Sequence, residues 1–351
     1  MSGSWMIYGA NGYTGRLCAR VAKARGLSPV LAGRGKQEIA RLGQELGLDT
    51  RVFDLSNAGA VATSLKGIDA VLHCAGPFSA THKPMLSGCE QARCHYLDIT
   101  GEIDIFESVH RNDARWKQAG IVVMPGVGFD VVPSDCLAAM LKRELPDATH
   151  LTLAFRSKRG RVSPGTAKTI AEGLPHGCRI RRDGQLVEIP SASKTLSIAF
   201  ENTPELAVVI PWGDVSTAFW STGIPNIEVY MHMPEKQIRQ MRSLRFVAPL
   251  LGFGFVQSII KSRIAKTVQG PTDSERANDE TILWGKAENA DGDTKVIRLR
   301  TPEGYTLTAD AAVSAITCLL ESPLPPGAYT PSKAFGPDFV LGLENVKKLE
   351  G

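Results

Sequence analysis

The sequence lacks the features that define several classes of protein. None of its seven cysteines forms a C-x-x-C pair, which argues against a disulfide framework and against a tetrahedral zinc site. The formal net charge is only +4, which is too small to indicate nucleic-acid binding by itself. The chain has no internal repeat and no low-complexity tract. We therefore expect a globular protein with no metal site and no nucleic-acid partner.

A long apolar run and a targeting segment are also missing. The apolar run from Phe246 to Ile260 is shorter than the roughly 20 residues that span a bilayer. The N-terminus has neither the basic stretch nor the apolar core of a signal peptide. We therefore expect reduced thiols and a cytoplasmic location. The length of 351 residues predicts two domains or one large one.

The first 145 residues alternate short apolar runs with longer amphipathic stretches. Several runs show little alternation of apolar and polar residues, as expected for strands that are covered on both faces. The predicted strands are 5–8, 29–32, 50–53, 70–73, 96–99 and 121–124. Strand–helix units in succession predict an α/β fold with a doubly wound parallel sheet and right-handed crossovers.

The pattern changes after about residue 150. The segment 182–184, Arg-Asp-Gly, predicts a hairpin turn, and the stretches 280–287 and 295–300 predict an antiparallel pair. This middle section therefore predicts a mixed α/β domain on an antiparallel sheet. An alanine-rich helix is then predicted over Leu307–Leu320, with Thr308 as its N-cap.

The strongest local signal is a glycine-rich turn between the first strand and the first helix. Gly9 permits a tight turn, Gly12 lets the backbone approach a pyrophosphate, and Gly15 lets the helix pack closely on the strand. The helix N-terminus offers N–H groups and the positive end of its dipole to phosphate. The alternative is a structural turn in a fold without a cofactor. The residues predicted to bind a dinucleotide here are Gly9, Asn11, Gly12, Tyr13, Thr14 and Gly15.

The end of the second strand indicates which nicotinamide cofactor binds. An NAD site usually carries an acidic residue there, which binds the ribose 2′-hydroxyl. This sequence instead has Gly33 followed by Arg34, and a guanidinium suits a 2′-phosphate and stacks on adenine. We therefore predict NADP rather than NAD, bound by Arg34 and Lys36. The alternative is that both residues are solvated loop charges.

Later strand ends meet the same edge of a doubly wound sheet. Asp54 is predicted to lie near the adenine. The loop residues Ala75, Gly76 and Pro77 are predicted to lie where the backbone meets the nicotinamide ribose. The segment 96–102 brings polar groups to the nicotinamide end, where Asp98 is either a site residue or a helix-capping residue.

Five segments occur in a recognisable order along the chain. They are Gly9–Gly15, Ala32–Arg34, Ala75–Phe78, Tyr96–Glu102 and Gly128–Asp135. Together they resemble the saccharopine dehydrogenase-like oxidoreductase family, and within it the branch that contains the trans-acting enoyl reductases. The resemblance covers nearly the whole chain.

The resemblance implies a split Rossmann domain with an inserted second domain. We expect residues 1–150, completed by 305–351, to form the NADP-binding domain. We expect residues 151–304 to form the inserted substrate or dimerisation domain on its antiparallel sheet. Family members reduce imines to form saccharopine, or reduce enoyl groups of lipid intermediates. A homodimer through the middle sheet follows by analogy of fold alone.

Three side chains are the predicted catalytic residues at the nicotinamide end. Asp130 lies in a glycine-flanked turn after the sixth strand, whereas Asp98 and Tyr96 belong to the fifth. His82 is a further candidate for proton transfer. No Y-x-x-x-K pair lies where a short-chain dehydrogenase needs one, which disfavours that mechanism.

The apolar run 246–260 has basic neighbours and allows three interpretations. It is a buried core or dimer-interface helix, an interfacial segment on an anionic membrane, or the lining of a groove for a long acyl chain. The second interpretation predicts peripheral membrane contact of a cytoplasmic protein.

These observations predict an NADP-dependent oxidoreductase. The predicted reaction transfers hydride to a C=C or C=O group of a small or lipid-like acyl substrate held between the two domains. One alternative is an imine reductase of the saccharopine type. Another is an NADP(H)-binding regulatory protein without turnover, because the sequence shows no evident general acid.

Overall fold

The computed structural model describes residues 3–350 except 159, 174, 176, 245–250 and 252. The chain divides into two compact units. Unit 1 extends to Val132 and resumes over Gly304–Glu344. Unit 2 is Pro133–Glu303 together with the residues from Asn345 onward.

The described residues form strands in both units. In chain order they are β1 Trp5–Tyr8, β2 Val30–Gly33, β3 Thr50–Val52, β4 Ala70–His73, β5 His95–Asp98, β6 Val122–Met124, β7 His150–Ser157, β8 Cys178–Arg182, β9 Gln185–Ile189, β10 Thr195–Ala199, β11 Pro204–Val209, β12 Asn226–His232, β13 Glu280–Glu288, β14 Thr294–Pro302, β15 Gly327–Ala328 and β16 Lys347–Leu349.

The helices of the described residues connect these strands. In chain order they are α1 Tyr13–Ala24, α2 Lys36–Leu46, α3 Ala58–Ser64, α4 Phe78–Ala92, α5 Ile103–Arg111, α6 Asp113–Ala119, α7 Val132–Glu144, α8 Pro164–Gly173, α9 Asp214–Thr222, α10 Glu235–Leu244, α11 Gly254–Thr267, α12 Asp273–Ala277, α13 Gly304–Glu321 and α14 Pro331–Phe335. None of these helices has the length and the apolar character of a membrane span.

Unit 1 is built on a parallel sheet with the strand order β15-β6-β5-β4-β1-β2-β3. The order reverses at β1, which pairs with β2 on one side and with β4 on the other. This doubly wound arrangement confirms the predicted Rossmann-type fold. The short strand β15, which pairs with β6, was not predicted, because its Gly-Ala pair carries no strand pattern.

Successive residues of β1 enter two separate hydrophobic cores. Trp5 and Ile7 pack into one core, whereas Met6 and Tyr8 pack into the other. Strand side chains alternate between the two faces of a sheet. Both faces of this sheet are therefore covered, which explains why its strands are apolar with little alternation.

Unit 2 is built on a second, mixed sheet. Its main strand order is β10-β11-β12-β7-β13-β14-β16, and β8 joins the edge of β12 and pairs with β9. The pairing of β7 with β12 is parallel, and the pairing of β13 with β14 is antiparallel. The predicted hairpin at 182–184 is confirmed, since β8 and β9 are joined there with Asp183 at φ 49° and Gly184 at φ 77°. Left-handed conformations at both central residues are those of a two-residue hairpin turn.

The division between the units falls at Val132 rather than at the expected residue 150. Helix α7 lies within the stretch in between. A Cβ atom added to Gly285 of β13 would lie 2.7 Å from Leu141 and 3.1 Å from Leu137. These two side chains of α7 therefore pack on the sheet of unit 2.

The N-cap predicted for the last long helix was wrong. Helix α13 begins at Gly304, so that Thr308 lies in its second turn. The hydroxyl of Thr308 donates to the carbonyl of Gly304 at 2.8 Å and accepts from the N–H of Phe129 at 3.0 Å. The threonine thus joins the helix to the turn after β6, a long-range contact that a local capping pattern does not reveal.

Two helices of unit 1 have irregular features. Helix α4 begins at Phe78 and contains Pro84 in its interior. Helices α5 and α6 follow each other directly and are separated only by Asn112. Of the apolar run 246–260, residues 246–250 and 252 lie outside the described residues, and the rest leads into α11.

We predict that Gly88→Ala destabilises unit 1. A Cβ atom at this position of α4 would lie 2.8 Å from the Cβ of Val61 on α3, so the two helices would have to separate. Overpacking of this kind costs about 1–3 kcal/mol, more than the ~1 kcal/mol that alanine gains over glycine in a helix. The thermal unfolding midpoint should fall. In the control Gly254→Ala, where a Cβ meets nothing within 4 Å, it should stay or rise; an equal response of both variants would contradict the packing argument.

Candidate functional site

The glycine-rich turn begins with a backbone that no other residue type fits. Gly9 has φ 82°, and a Cβ atom there would lie 2.8 Å from the backbone nitrogen of Ala75. The N–H groups of Gly9 and Ala10 donate to the carbonyl of Ala32 at 2.8 and 3.1 Å. The turn is therefore fixed between the ends of β2 and β4.

Gly12 and Gly15 start helix α1 on this turn. Gly12 is the N-cap, and among the described residues no side chain caps the helix. A Cβ atom on Gly15 would lie 2.9 Å from the Cα of Ala10 and nearer still to the carbonyl oxygen of Gly9. A helix N-terminus held so close to a strand end, with no capping side chain, fits the pyrophosphate of a dinucleotide.

The residues between the glycines have separate surroundings. The side-chain oxygen of Asn11 lies 2.8 Å from the place that a Cβ of Gly33 would take, so glycine at the end of β2 makes room for it. The ring of Tyr13 packs edge-on against Tyr305, with 5.0 Å between centroids. Thr14 is half-buried in the first turn of α1. Their roles in cofactor binding stay predictions.

Arg34, Lys36 and Asp54 lie after neighbouring strand ends. Arg34 follows β2 directly, Lys36 opens α2, and both are exposed. The hydroxyl and the N–H of Ser56 lower the pKa of Asp54, and the charge of Arg34 lowers it further. Burial raises the pKa of Tyr8 to about 12, and Arg34 opposes that rise. The guanidinium of Arg34 thus belongs to the edge formed by β1, β2 and β3, as the prediction of a 2′-phosphate site requires.

The loop 75–77 is held by the side chains of Thr81 and Glu102. Thr81 was given no role from the sequence, and Glu102 was predicted only as part of the polar segment 96–102. Thr81 donates its hydroxyl to the carbonyls of Ala75 at 2.6 Å and Pro77 at 3.1 Å. The N–H of Phe78 donates to a carboxylate oxygen of Glu102 at 3.0 Å. Thr81 lies in the first turn of α4 and Glu102 is the N-cap of α5, so the sequence signal for these contacts is only a polar residue near a helix start.

Asp98 lies at the centre of a buried hydrogen-bond network. One of its carboxylate oxygens accepts from the N–H groups of Thr100 at 2.9 Å and Gly126 at 3.0 Å. The other accepts from the hydroxyl of Tyr96 at 2.7 Å. The Nδ1 atom of His82 lies 3.3 Å from the same hydroxyl. Both Asp98 and Tyr96 are fully buried, so the network ties the end of β5 to the loop after β6.

Burial is the main cause of the shifted pKa values in this network. It raises the pKa of Asp98 to about 6, although the bonds from Tyr96, Thr100 and Gly126 all act to lower it. It also raises the pKa of Tyr96 well above the usual range. Burial lowers the pKa of His82 to about 4, with a smaller contribution from Lys83. The imidazole is therefore neutral at pH 7, whereas the carboxyl titrates near pH 6.

Asp130 lies in the turn after β6, close to Gly101. A Cβ atom on Gly101 would lie 2.7 Å from a carboxylate oxygen of Asp130, so the lack of a side chain at Gly101 allows this close approach. Burial raises the pKa of Asp130 to about 6. Asp130 is a partly exposed residue, whereas Asp98 is fully buried. Of the three predicted catalytic residues, Tyr96 and Asp98 thus lie in β5, and Asp130 follows the neighbouring strand β6.

A family model matches this part of the chain. The saccharopine dehydrogenase NADP-binding domain matches residues 5–124, from the first strand to the sixth. The match confirms NADP as the cofactor predicted from Arg34. The glycine turn fits such a cofactor. A Cβ atom would clash at Gly9 and Gly15, and at Gly12 it would lie 3.2 Å from the carbonyl oxygen of Gly9.

Two curated relatives share part of the sequence. A trans-acting enoyl reductase of Mycobacterium tuberculosis is 30% identical over 185 residues, which are 48% of this chain and 44% of that protein. An Arabidopsis thaliana protein named as a probable mitochondrial saccharopine dehydrogenase-like oxidoreductase is 31% identical over 150 residues, 37% of this chain and 32% of its own. Each match therefore covers less than half of the relative's length.

A solved structure shares the fold. Saccharopine dehydrogenase (L-Glu forming) from Saccharomyces cerevisiae superposes with a TM-score of 0.71 at 11% identity, over 99% of this chain and 100% of that one. Residues 5–124 thus match the saccharopine dehydrogenase NADP-binding domain, the chain shares the fold of the yeast enzyme, and its resemblance to the saccharopine dehydrogenase-like oxidoreductases is confirmed.

Proposed function

We propose that the protein is an NADP-dependent oxidoreductase that transfers hydride to a C=C or C=O group of a small or lipid-like acyl substrate. The observation that carries the proposal is that one edge of the parallel sheet of unit 1 carries both a glycine turn that fits a dinucleotide, after β1, and a carboxyl group with a raised pKa, Asp130, after β6. When bound, NADPH supplies the hydride, and the protein supplies orientation and a proton. The names of the matched relatives, which are oxidoreductases and an enoyl reductase, support the same class.

The cofactor would be held mainly by backbone atoms and by one guanidinium. Gly9, Gly12 and Gly15 allow the pyrophosphate to approach the N-terminus of α1. Arg34 is the proposed ligand of the 2′-phosphate, with Lys36 beside it. Asp54 would lie near the adenosine, and the loop 75–77 near the nicotinamide ribose.

Asp130 is the proposed proton donor. Hydride adds to the electrophilic carbon of the substrate, and the other atom of the double bond must then receive a proton. A carboxyl group with a pKa of about 6 is partly protonated near neutral pH and returns to that state after each transfer. Asp130 is also a partly exposed residue, whereas Asp98 is fully buried, so we assign the proton transfer to Asp130.

Asp98 and Tyr96 are better suited to positioning than to proton transfer. Their catalytic role stays a prediction, but the contacts described above occupy both oxygens of Asp98 and the hydroxyl of Tyr96. We infer that the pair fixes the loops on either side of Asp130. The second candidate function is an NADP(H)-binding regulatory protein without turnover. The same contacts favour it, because they leave Asp130 alone of the three predicted catalytic residues for proton transfer.

The substrate class, the assembly and the location are parts of the proposal. The enoyl reductase among the relatives supports reduction of a C=C bond, and the relative named saccharopine dehydrogenase-like supports imine reduction as the alternative.

We propose a cytoplasmic homodimer formed through the sheet of unit 2. Sedimentation equilibrium measures its mass, and a monomer at every concentration would exclude it.

We predict that Arg34→Gln weakens NADP binding and leaves NAD binding unchanged. The variant loses a charge-assisted bond to the 2′-phosphate, which is worth about 1.5–3 kcal/mol, so the Kd for NADP should rise roughly 10- to 100-fold. Calorimetric titration of both cofactors measures the two constants. The control is Arg41→Gln, which removes another exposed arginine, on α2. Equal weakening of NADP and NAD would contradict the assignment.

We predict that Asp98→Asn removes part of the pH dependence of stability. A carboxyl whose pKa is higher in the folded chain stabilises the fold most at low pH and loses that contribution as the pH rises through about 6. An asparagine keeps an oxygen for the N–H groups of Thr100 and Gly126 but does not titrate. Relative to the variant, the wild type should lose up to about 3 kcal/mol of stability between pH 4 and pH 6. Thermal midpoints across this range give the difference; parallel curves would refute the assignment.

We predict that the purified protein oxidises NADPH with an enoyl or carbonyl substrate and that Asp130→Asn slows the reaction. Loss of the proton donor should lower kcat roughly 10²- to 10⁴-fold without changing the Kd for NADPH. Absorbance of NADPH is followed against panels of enoyl, carbonyl and imine compounds. Asp49→Asn, at an exposed position, is the control.

The panel separates the candidate functions. Turnover restricted to imines would favour the saccharopine-type alternative. Tight NADPH binding with no oxidation by any class of compound would overturn the enzyme and favour the regulatory protein. Full activity of Asp130→Asn would leave the enzyme in place and remove Asp130 as the donor.

A further inference from the structure

Unit 2 exposes large apolar side chains at the start of α11. Phe253, Phe255 and Ile259 are 55%, 69% and 63% exposed. The rings of Phe253 and Phe255 stack with 6.2 Å between centroids. We call these three residues the α11 surface. Exposed apolar side chains grouped in this way indicate a surface that binds something.

Polar contacts with α8 fix the opposite face of α11. The side-chain amide of Gln257 donates to the carbonyls of Ala171 and Leu251, each at 2.9 Å. Lys261 forms an ion pair with Glu172 of α8. Gln257 and Lys261 therefore anchor one side of the helix. The opposite side, which carries Phe255 and Ile259, is exposed.

Basic residues continue the outward face. Phe255, Ile259, Arg263 and Lys266 follow one another at intervals of three or four residues, so they lie along one side of the helix. Arg263 and Lys266 are exposed. The sequence contains no acidic residue between 236 and 272, so no carboxylate of this stretch offsets their charge.

We propose that the α11 surface binds the face of an anionic lipid bilayer. Phe253, Phe255 and Ile259 would enter the boundary between headgroups and acyl chains, and Arg263 and Lys266 would contact lipid phosphates. An apolar side with flanking basic residues on a helix that lies in the interface is the pattern of peripheral membrane binding. Its cations are the long, flexible side chains of arginine and lysine, which suit a fluid phosphate-rich layer better than a shaped protein groove.

The proposal is independent of the hydride transfer proposed for unit 1. It applies the membrane interpretation of the run 246–260 to Phe253, Phe255 and Ile259, with Arg263 and Lys266 as the flanking cations. A membrane contact would bring the protein to the phase in which lipid-like substrates collect.

The test is co-flotation of the full-length protein with vesicles. Vesicles of phosphatidylcholine with phosphatidylserine are compared with vesicles of phosphatidylcholine alone, at low and high salt. Phe255→Ser with Ile259→Ser removes the apolar side chains, and Arg263→Glu with Lys266→Glu reverses the charges. The matched control is Val296→Ser with Lys295→Glu, an exposed apolar–basic pair on β14. Calorimetric binding of NADP checks that each variant is folded.

The wild type and the control should float with the phosphatidylserine vesicles, and salt should release them. Either α11 variant should bind at least roughly tenfold more weakly, because each buried apolar side chain and each cation contributes about a fivefold factor or more. Absence of flotation of the wild type would overturn the proposal. Flotation that survives both α11 variants would overturn it as well. A dimer that dissociates in Phe255→Ser with Ile259→Ser, without vesicle binding of the wild type, would assign the surface to a second copy of the chain instead.

Discussion

The structure of unit 1 depends on a close approach of backbone atoms that only glycine allows. Gly9 lies against Ala75 after β4, and Gly15 lies against the backbone of the turn itself. Any Cβ at either position would push α1 away from the strand edge. The same approach brings the helix N-terminus to the point where the strand order reverses, which is where open α/β sheets bind ligands. Cofactor binding and packing therefore share one constraint.

Two carboxyl groups at neighbouring strand ends show how surroundings separate the roles of one residue type. Burial raises the pKa of Asp98 and of Asp130 to about 6. Both carboxylate oxygens of Asp98 accept hydrogen bonds within the protein, and these bonds join two loops. Asp130 keeps some exposed surface beside Gly101. The value of a pKa alone would not distinguish them, whereas their contacts do.

The parallel sheet and the cofactor turn were predictable because both are encoded locally. The apolar strands need only their own residues, and Gly9, Gly12 and Gly15 lie within one turn. What the sequence did not reveal depends on distant partners. Thr308 binds Phe129 instead of capping its helix, and Asp98 binds Gly126 of another loop. The short strand β15 forms because β6 offers an edge, and its two residues carry no pattern of their own.

The core of unit 1 is shared by two segments of chain that are far apart in sequence. Side chains of α13, such as Ala312 and Ile316, belong to the same hydrophobic cluster as Cys18 and Ala22 of α1. The N-terminal strands therefore emerge from the ribosome long before α13, one of the helices that cover this face of the sheet. The segment that forms the sheet of unit 2 is made in between. Apolar surface that α13 later covers stays exposed on the nascent chain until Gly304–Glu321 has been made, and exposed surface of this kind promotes aggregation.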